Sequence, residues 1–122
     1  MSPKAPKPVL YNKYDRETLM KRLADEPFAR RTLSFYRYVV LPDPQSVRDQ
    51  LFLQWDALGC FGRIYLAEEG INAQMSVPEH HWDQFVAELY TWEAFRQVPF
   101  KLAVEDDGKS FFKLTVKVRV QI

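Results

Sequence analysis

Phe61–Val77 reads FGRIYLAEEGINAQMSV, and its alternation decides the fold. From Gly62 to Ala67, Ile64 and Leu66 fall on one face and Arg63 and Tyr65 on the other. From Ile71 to Val77 the apolar set is Ile71, Ala73, Met75 and Val77, opposite Asn72, Gln74 and Ser76. Glu68-Glu69-Gly70 joins the two runs, and Gly70 can take the positive φ that a tight connection demands. The stretch is therefore a β-hairpin with one oily face and one wet face. The wet face carries Arg, Tyr, Asn and Gln in place of the Lys/Glu/Thr mix of a merely soluble sheet, a composition suited to binding.

Working outward, Leu33–Leu41 (LSFYRYVVL) is rich in aromatic and β-branched residues and reads as a strand. If Phe35, Arg37 and Val39 point inward, Tyr36 and Tyr38 join the wet face; either register buries a polar atom. Pro42 and Pro44 end the strand. Asp43 is the N-cap of a helix reaching about Leu58, with Pro44 at its first position and Val47, Leu51, Trp55 and Leu58 on one stripe. Gly59 occupies its C′ position. After the hairpin, Pro78 opens a second helix to about Trp92, with Trp82, Phe85, Val86 and Leu89 inward. Phe100–Glu105 alternates again, Asp106-Asp107-Gly108 is a turn, and Phe111–Val120 is a last strand. Upstream, Met1–Pro8 reads as a mobile Pro/Lys arm and Val9–Tyr14 as extended. Asp15 caps a short helix to about Asp25 with Leu19, Met20 and Leu23 on one side, and Pro27 stops it.

The order β-α-β-β-α-β predicts an α+β fold, the ferredoxin-like sandwich of an antiparallel sheet with two helices on one face. A short N-terminal helix precedes it and an extra C-terminal strand follows. Residues 1–30 are expected as a basic arm and short helix, and residues 31–122 as the ferredoxin-like domain. At 122 residues and 47% apolar, the chain is long enough to bury about two-thirds of its unfolded surface. It has no run of the roughly 20 apolar residues that a membrane helix needs, so no membrane partner is expected. No secretory leader is visible, and the single cysteine, Cys60, excludes an internal disulfide; the cytoplasm is the expected compartment. Net charge is unevenly spread: +4 over residues 1–31, −7 over 32–107 and +4 over 108–122. Basic ends can follow a phosphate backbone, but the whole surface is not polycationic.

Catalytic chemistry finds little support in the residues. Cys60 follows a helix C-terminus, the wrong electrostatic end for a thiolate, and reads as a small buried apolar residue. His80 and His81 diverge by about 100° on a helix and cannot chelate one ion together. Glu68-Glu69 and Glu105-Asp106-Asp107 lie at turns, where acidic residues serve local hydrogen bonding, so neither a metal nor another cofactor is expected. An acylphosphatase reading would need an arginine-bearing, glycine-rich anion loop after the first strand, where Pro42-Asp43-Pro44-Gln45 stands instead. An RNA-recognition motif would need an aromatic, basic third strand, and INAQMSV has no aromatic.

Three segments carry a family resemblance: SFYRY (Ser34–Tyr38), FGRIYLAEEGINAQMSVP (Phe61–Pro78) and DDGKSFFKLTVKVR (Asp106–Arg119). They resemble the N-terminal domain of the rhodanese-related, oxygen-dependent tRNA uridine hydroxylases, which make hydroxyuridine at the wobble position, over roughly residues 9 to 120. The resemblance implies a following rhodanese-like domain with a reactive cysteine loop. That domain is absent from this chain, and Cys60 does not correspond to the loop cysteine. The expected function is thus a non-catalytic accessory domain of a tRNA wobble-uridine hydroxylase, with tRNA and the rhodanese-like domain as partners. Candidate RNA contacts are Tyr36, Tyr38, Arg63, Tyr65, Asn72 and Gln74 for stacking and hydrogen bonding, with Lys109, Lys113, Lys117 and Arg119 for phosphates. The alternative is a structural domain whose open face docks on the rhodanese-like domain without touching RNA.

Overall fold

A computed structural model describes residues 14–103 and 108–122. The elements are α1 (Arg16–Ala24), β1 (Arg30–Tyr38), α2 (Pro44–Ala57), β2 (Phe61–Ala67), β3 (Gly70–Pro78), α3 (Trp82–Tyr90), β4 (Lys101–Leu102) and β5 (Leu114–Val118). Two 3₁₀ turns, Glu79–His81 and Glu93–Phe95, flank α3. The sheet order is β4-β1-β3-β2-β5. β4, β1, β3 and β2 pair antiparallel, and β5 lies parallel to β2. This is the ferredoxin-like α+β sandwich, with the extra strand on the far edge making the sheet mixed.

Local chemistry explains the boundaries. Asp15 Oδ1 accepts the Thr18 amide at 2.8 Å, and that bond holds the Asp15 carboxyl below its usual range. Asp43 Oδ1 accepts the Ser46 amide at 3.2 Å, with Pro44 in the first turn. α2 ends in a Schellman motif: Gly59 at φ 72° donates to the Asp56 carbonyl, and the Cys60 amide reaches back to the Trp55 carbonyl at 2.9 Å. α2 lies over β2 and β5 and α3 over β3, which buries one face of the sheet. Trp55, Phe85 and Phe95 fill that layer together with Ile64, Leu66, Ile71, Met75 and Val77 from the hairpin. Arg48 Nε donates to the Val116 carbonyl at 2.7 Å and ties α2 to β5.

Several expected limits shift. β1 starts at Arg30, not Leu33, because Arg30, Arg31 and Thr32 pair with Pro78, Val77 and Ser76. It ends at Tyr38, not Leu41, because its partner begins only at Gly70; beyond that point the Val39 and Leu41 amides donate to the Glu69 and Glu68 carbonyls, each at 2.9 Å. Arg37 does take the inward register, and its Nη1 donates to the Arg96 carbonyl at 2.7 Å in the turn after α3. The expected helix from Pro78 to Trp92 divides into the first 3₁₀ turn and the shorter α3. The last strand is confined to Leu114–Val118, and β4 to two residues. Met20, expected on the apolar side of α1, is 47% exposed, while Leu19 and Leu23 are buried. The Met1–Pro8 arm and most of the Val9–Tyr14 stretch lie outside the described residues, as do Val104, Glu105, Asp106 and Asp107.

α1 sits away from the main core, and Leu19 and Leu23 stand apart from its cluster. Arg30 links this helix to the uncovered face of the sheet. Its guanidinium pairs with Glu26 at 2.8 Å, donates to Ser76 Oγ at 3.2 Å and lies 3.9 Å over the Phe61 ring. Arg16 lies over the Phe112 ring at 5.7 Å, and Lys109 Nζ donates to the Ala24 carbonyl. The helix and the 108–113 segment thereby close one end of that face.

At the other end Gly70 (φ 146°) is pressed against β1, where a Cβ would overlap the Arg37 carbonyl oxygen. Gly70→Ala should lower stability by at least about 2 kcal/mol through strain and clash. Urea denaturation should read this as a lower midpoint at unchanged slope; an unshifted midpoint would contradict the close approach.

Candidate nucleic-acid interface

The face not covered by α2 and α3 is built from residues opposite the core in each strand. Cross-strand register arranges them in rows. One row runs Lys101, Ser34, Gln74, Arg63, Thr115, and the next runs Tyr36, Asn72, Tyr65, Lys117. Tyr36 and Tyr38 are 67% and 70% exposed and meet edge to face, with ring centroids 6.2 Å apart. Arg119 lies 4.1 Å over the Tyr65 ring, and its amide donates to the Leu66 carbonyl at 2.7 Å, prolonging the β5 pairing. Seven of the ten candidate residues therefore share this surface: Tyr36, Tyr38, Arg63, Tyr65, Asn72, Gln74 and Lys117. Arg119 adjoins it through Tyr65. Lys113 is drawn toward Phe112, at 5.9 Å from the ring centroid, and Lys109 is drawn to α1.

The charges are sorted by layer. Among the described strand residues, the positions facing this surface include Arg30, Arg63, Lys101 and Lys117, and no Asp or Glu. Arg30 is paired to Glu26; no acidic partner meets the other three within ion-pair distance among the described residues. The opposite layer is acidic: between Glu79 and Phe95 stand Glu79, Asp83, Glu88 and Glu93 with no Lys or Arg. Asn72 and Gln74 make no side-chain hydrogen bond among the described residues, so their amide donors and acceptors face solvent. Two grooves of about 430 and 290 Å³ run along the β4 side of the surface and share Ser34, Gln74 and Lys101. Lys101 and Ser34 were not predicted as site residues. The β1–β3 register sets Ser34 opposite Gln74 and the β1–β4 register adds Lys101 beyond it, and sequence alternation does not report register between distant strands.

Other candidate groups lie elsewhere. Cys60 is buried at the α2–β2 junction, and burial pushes its thiol up to about 12, the Arg30 charge only partly opposing this. His81 Nδ1 lies 2.8 Å from the Leu58 carbonyl and must carry the proton there, while the His80 ring meets Phe28 edge-on. Among the described residues no three His, Cys, Asp or Glu side chains gather into a metal-binding group, and no helix is long and apolar enough to cross a membrane. The loop between β1 and α2 offers no open anion cradle: the Val39, Leu41 and Ser46 amides are all occupied, and the Asp43 carboxylate stands at the helix N-terminus.

A four-strand β4-β1-β3-β2 core with β5 appended and two helices on one face defines an acylphosphatase-like domain of ferredoxin topology, here with an open basic and aromatic sheet face. The chain belongs to the family described as the UPF0176 acylphosphatase like domain, whose family model matches residues 30–122. It is 53% identical over 113 residues to a tRNA uridine(34) hydroxylase of Leptospira interrogans, covering 93% of this chain and 31% of that protein. The tRNA uridine(34) hydroxylases of Escherichia fergusonii and Yersinia enterocolitica are each 47% identical over 116 residues, covering 94% of this chain and 33% of theirs. The chain spans about a third of the length of these curated relatives and corresponds to their N-terminal part.

With its folded-state value raised from 9.0 to about 12, the Cys60 thiol stays neutral and shielded at pH 8. A disulfide reagent such as DTNB should titrate no thiol in the native chain and one after unfolding in urea. By the same shift, stability should fall as pH rises from about 9 toward 12, because only the unfolded thiol ionises readily there. Rapid native labelling at pH 8 would contradict the burial.

Proposed function

We propose that the chain is a non-catalytic accessory domain of a tRNA wobble-uridine hydroxylase, an oxidoreductase, and that its open sheet face holds the tRNA substrate beside a rhodanese-like domain of the parent protein. The observation carrying this reading is that the described strand residues facing this surface include no Asp or Glu. Arg63, Lys101 and Lys117 share it with the Tyr36, Tyr38 and Tyr65 rings and the Asn72 and Gln74 amides, while Glu79, Asp83, Glu88 and Glu93 lie on the α3 side. A polyanion is drawn to one side of the domain and repelled from the other. Aromatic rings on a sheet provide stacking surfaces for unpaired bases, and the cations pair with phosphates. The names of the relatives supply the substrate: they are hydroxylases of tRNA uridine 34.

A second reading has its own observation. Tyr38 and Val40 are 70% and 79% exposed at the end of β1, an apolar edge that suits docking of the rhodanese-like domain.

Titration of the 122-residue chain with a tRNA anticodon stem-loop, followed by amide NMR, tests the first reading. Shifts should concentrate in β1, β2 and β3 around Tyr36, Arg63, Asn72 and Gln74. Arg63→Ala and Lys117→Ala should each flatten the slope of log K against log salt by about 0.7–0.9. Shifts confined to α2 and α3, or none at millimolar RNA, would defeat the proposal. Strong binding to the separate rhodanese-like domain without RNA binding would favour docking.

A further inference from the structure

The larger groove has features that a phosphate-tracking surface alone does not require. It measures about 430 Å³, within the roughly 300–1,000 Å³ of small-ligand sites. Ser34, Tyr36, Asn72, Gln74, Phe100 and Lys101 line it. Its only ionisable cation is Lys101, in register with Ser34 at the β4 edge. Asn72 and Gln74 stand two positions apart on β3, hence about 7 Å apart on one face. Each offers an amide donor and acceptor unclaimed by any described residue. The Tyr36 ring is two-thirds exposed, and among the described residues its one aromatic contact is with Tyr38, edge to face.

We infer that this groove takes a single unpaired nucleobase of an RNA loop. The base lies against Tyr36, its hydrogen-bonding edge is read by the Asn72 and Gln74 amides, and its phosphate is held by Lys101. The inference rests on the tRNA reading of the same face and adds where, and in what state, the nucleic acid is read.

Geometry excludes a duplex from the groove itself. A-form RNA hides its base edges in a deep, narrow major groove or displays them in a shallow minor groove flanked by backbone. Two short amides level with a flat sheet cannot reach stacked, paired edges. A splayed base presents both its π-face and its pairing edge, the two elements for which Tyr36 and the amides are complementary. One cation matches one nucleotide, and the remaining phosphates fall to Arg63 and Lys117 outside the groove.

The test uses the 122-residue chain with two RNA probes of equal length and charge: an anticodon stem-loop, and a fully paired duplex. The stem-loop should bind at least tenfold more tightly. Its addition should shift the side-chain NH₂ signals of Asn72 and Gln74. Tyr36→Ala should weaken stem-loop binding by about 5- to 150-fold, the range for losing one stacked base, and leave duplex binding unchanged. Asn72→Ala should weaken the stem-loop selectively, and Lys101→Ala should weaken it while flattening its salt slope. The substituted side chains are exposed, so an unchanged backbone amide spectrum certifies the fold of each variant. Equal affinity for both probes, or equal loss on both in Tyr36→Ala, overturns the single-base groove while leaving RNA binding by the face intact. No binding of either probe overturns both. Shifts of the same NH₂ signals on adding the rhodanese-like domain, and not RNA, assign the groove to a domain interface and also overturn it.

Discussion

β3 pairs with β1 along its whole length and with β2 from Gly70 to Ser76, and the rows of the open face pass through its residues. That constraint organises the domain. Ile71, Ala73, Met75 and Val77 are fully buried, so Asn72 and Gln74 have no choice but to face away from the helices. A slip of one residue would bury two amides and expose four apolar side chains, at a cost of several kcal/mol. Register is therefore strongly specified, and with it the position of every side chain on the exposed rows. Gly70 seals the arrangement at one end, because only a residue without Cβ lets β3 begin so close to the Arg37 carbonyl.

The same pleat sorts charge. Residues 32–107 carry a net −7, which read along the chain argues against contact with a polyanion. Folding changes that picture for one surface: the described acids of this segment lie on helices, turns and loops, and the wet positions of the described strands are neutral or basic. Summed charge over a segment is a poor guide when alternation sends neighbouring residues to opposite layers. The N-terminal helix adds to the sorting. Just after it, Glu26 pairs with Arg30, which also meets Ser76 and the Phe61 ring of the sheet; one cation is thereby occupied, unlike Arg63, Lys101 and Lys117.

What was legible in the sequence was local. Asp15, Asp43, Pro44 and Gly59 act through neighbours within a turn, and the helices they bound stand where the residues indicate. The hairpin was legible because period-two alternation is unmistakable over seven residues. The residues leave the register of Tyr36 and Tyr38 open, since either choice buries a polar atom; the structure turns Phe35 and Arg37 inward and meets the cost by setting Arg37 on the Arg96 carbonyl. Strand ends were not legible. A strand stops where its partner stops, so LSFYRYVVL outruns β1 at one end while the polar Arg30–Thr32 extends it at the other. Lys101 was missed for the same reason, because its place beside Ser34 depends on a pairing between residues far apart in the chain. The burial of Leu19 and Leu23 in α1 was legible, but the Arg16–Phe112 and Arg30–Glu26 contacts around it leave no periodic trace.

The fold's usual route to anion binding runs through backbone amides at a loop and helix N-terminus, and here that route is filled from within. Val39 and Leu41 spend their amides on the Glu69 and Glu68 carbonyls, so the β1–α2 connection is stitched to the hairpin loop. Asp43 places a carboxylate where the α2 dipole would otherwise attract an anion, and accepts the Ser46 amide itself. A phosphate approaching this end meets one fixed negative charge and no spare donor among those amides. On the open side of the sheet it meets Arg63, Lys101 and Lys117, with no acid in ion-pair contact with them among the described residues. The two surfaces differ in charge, in donor availability and in aromatic content, and the proposed RNA contact rests on that contrast.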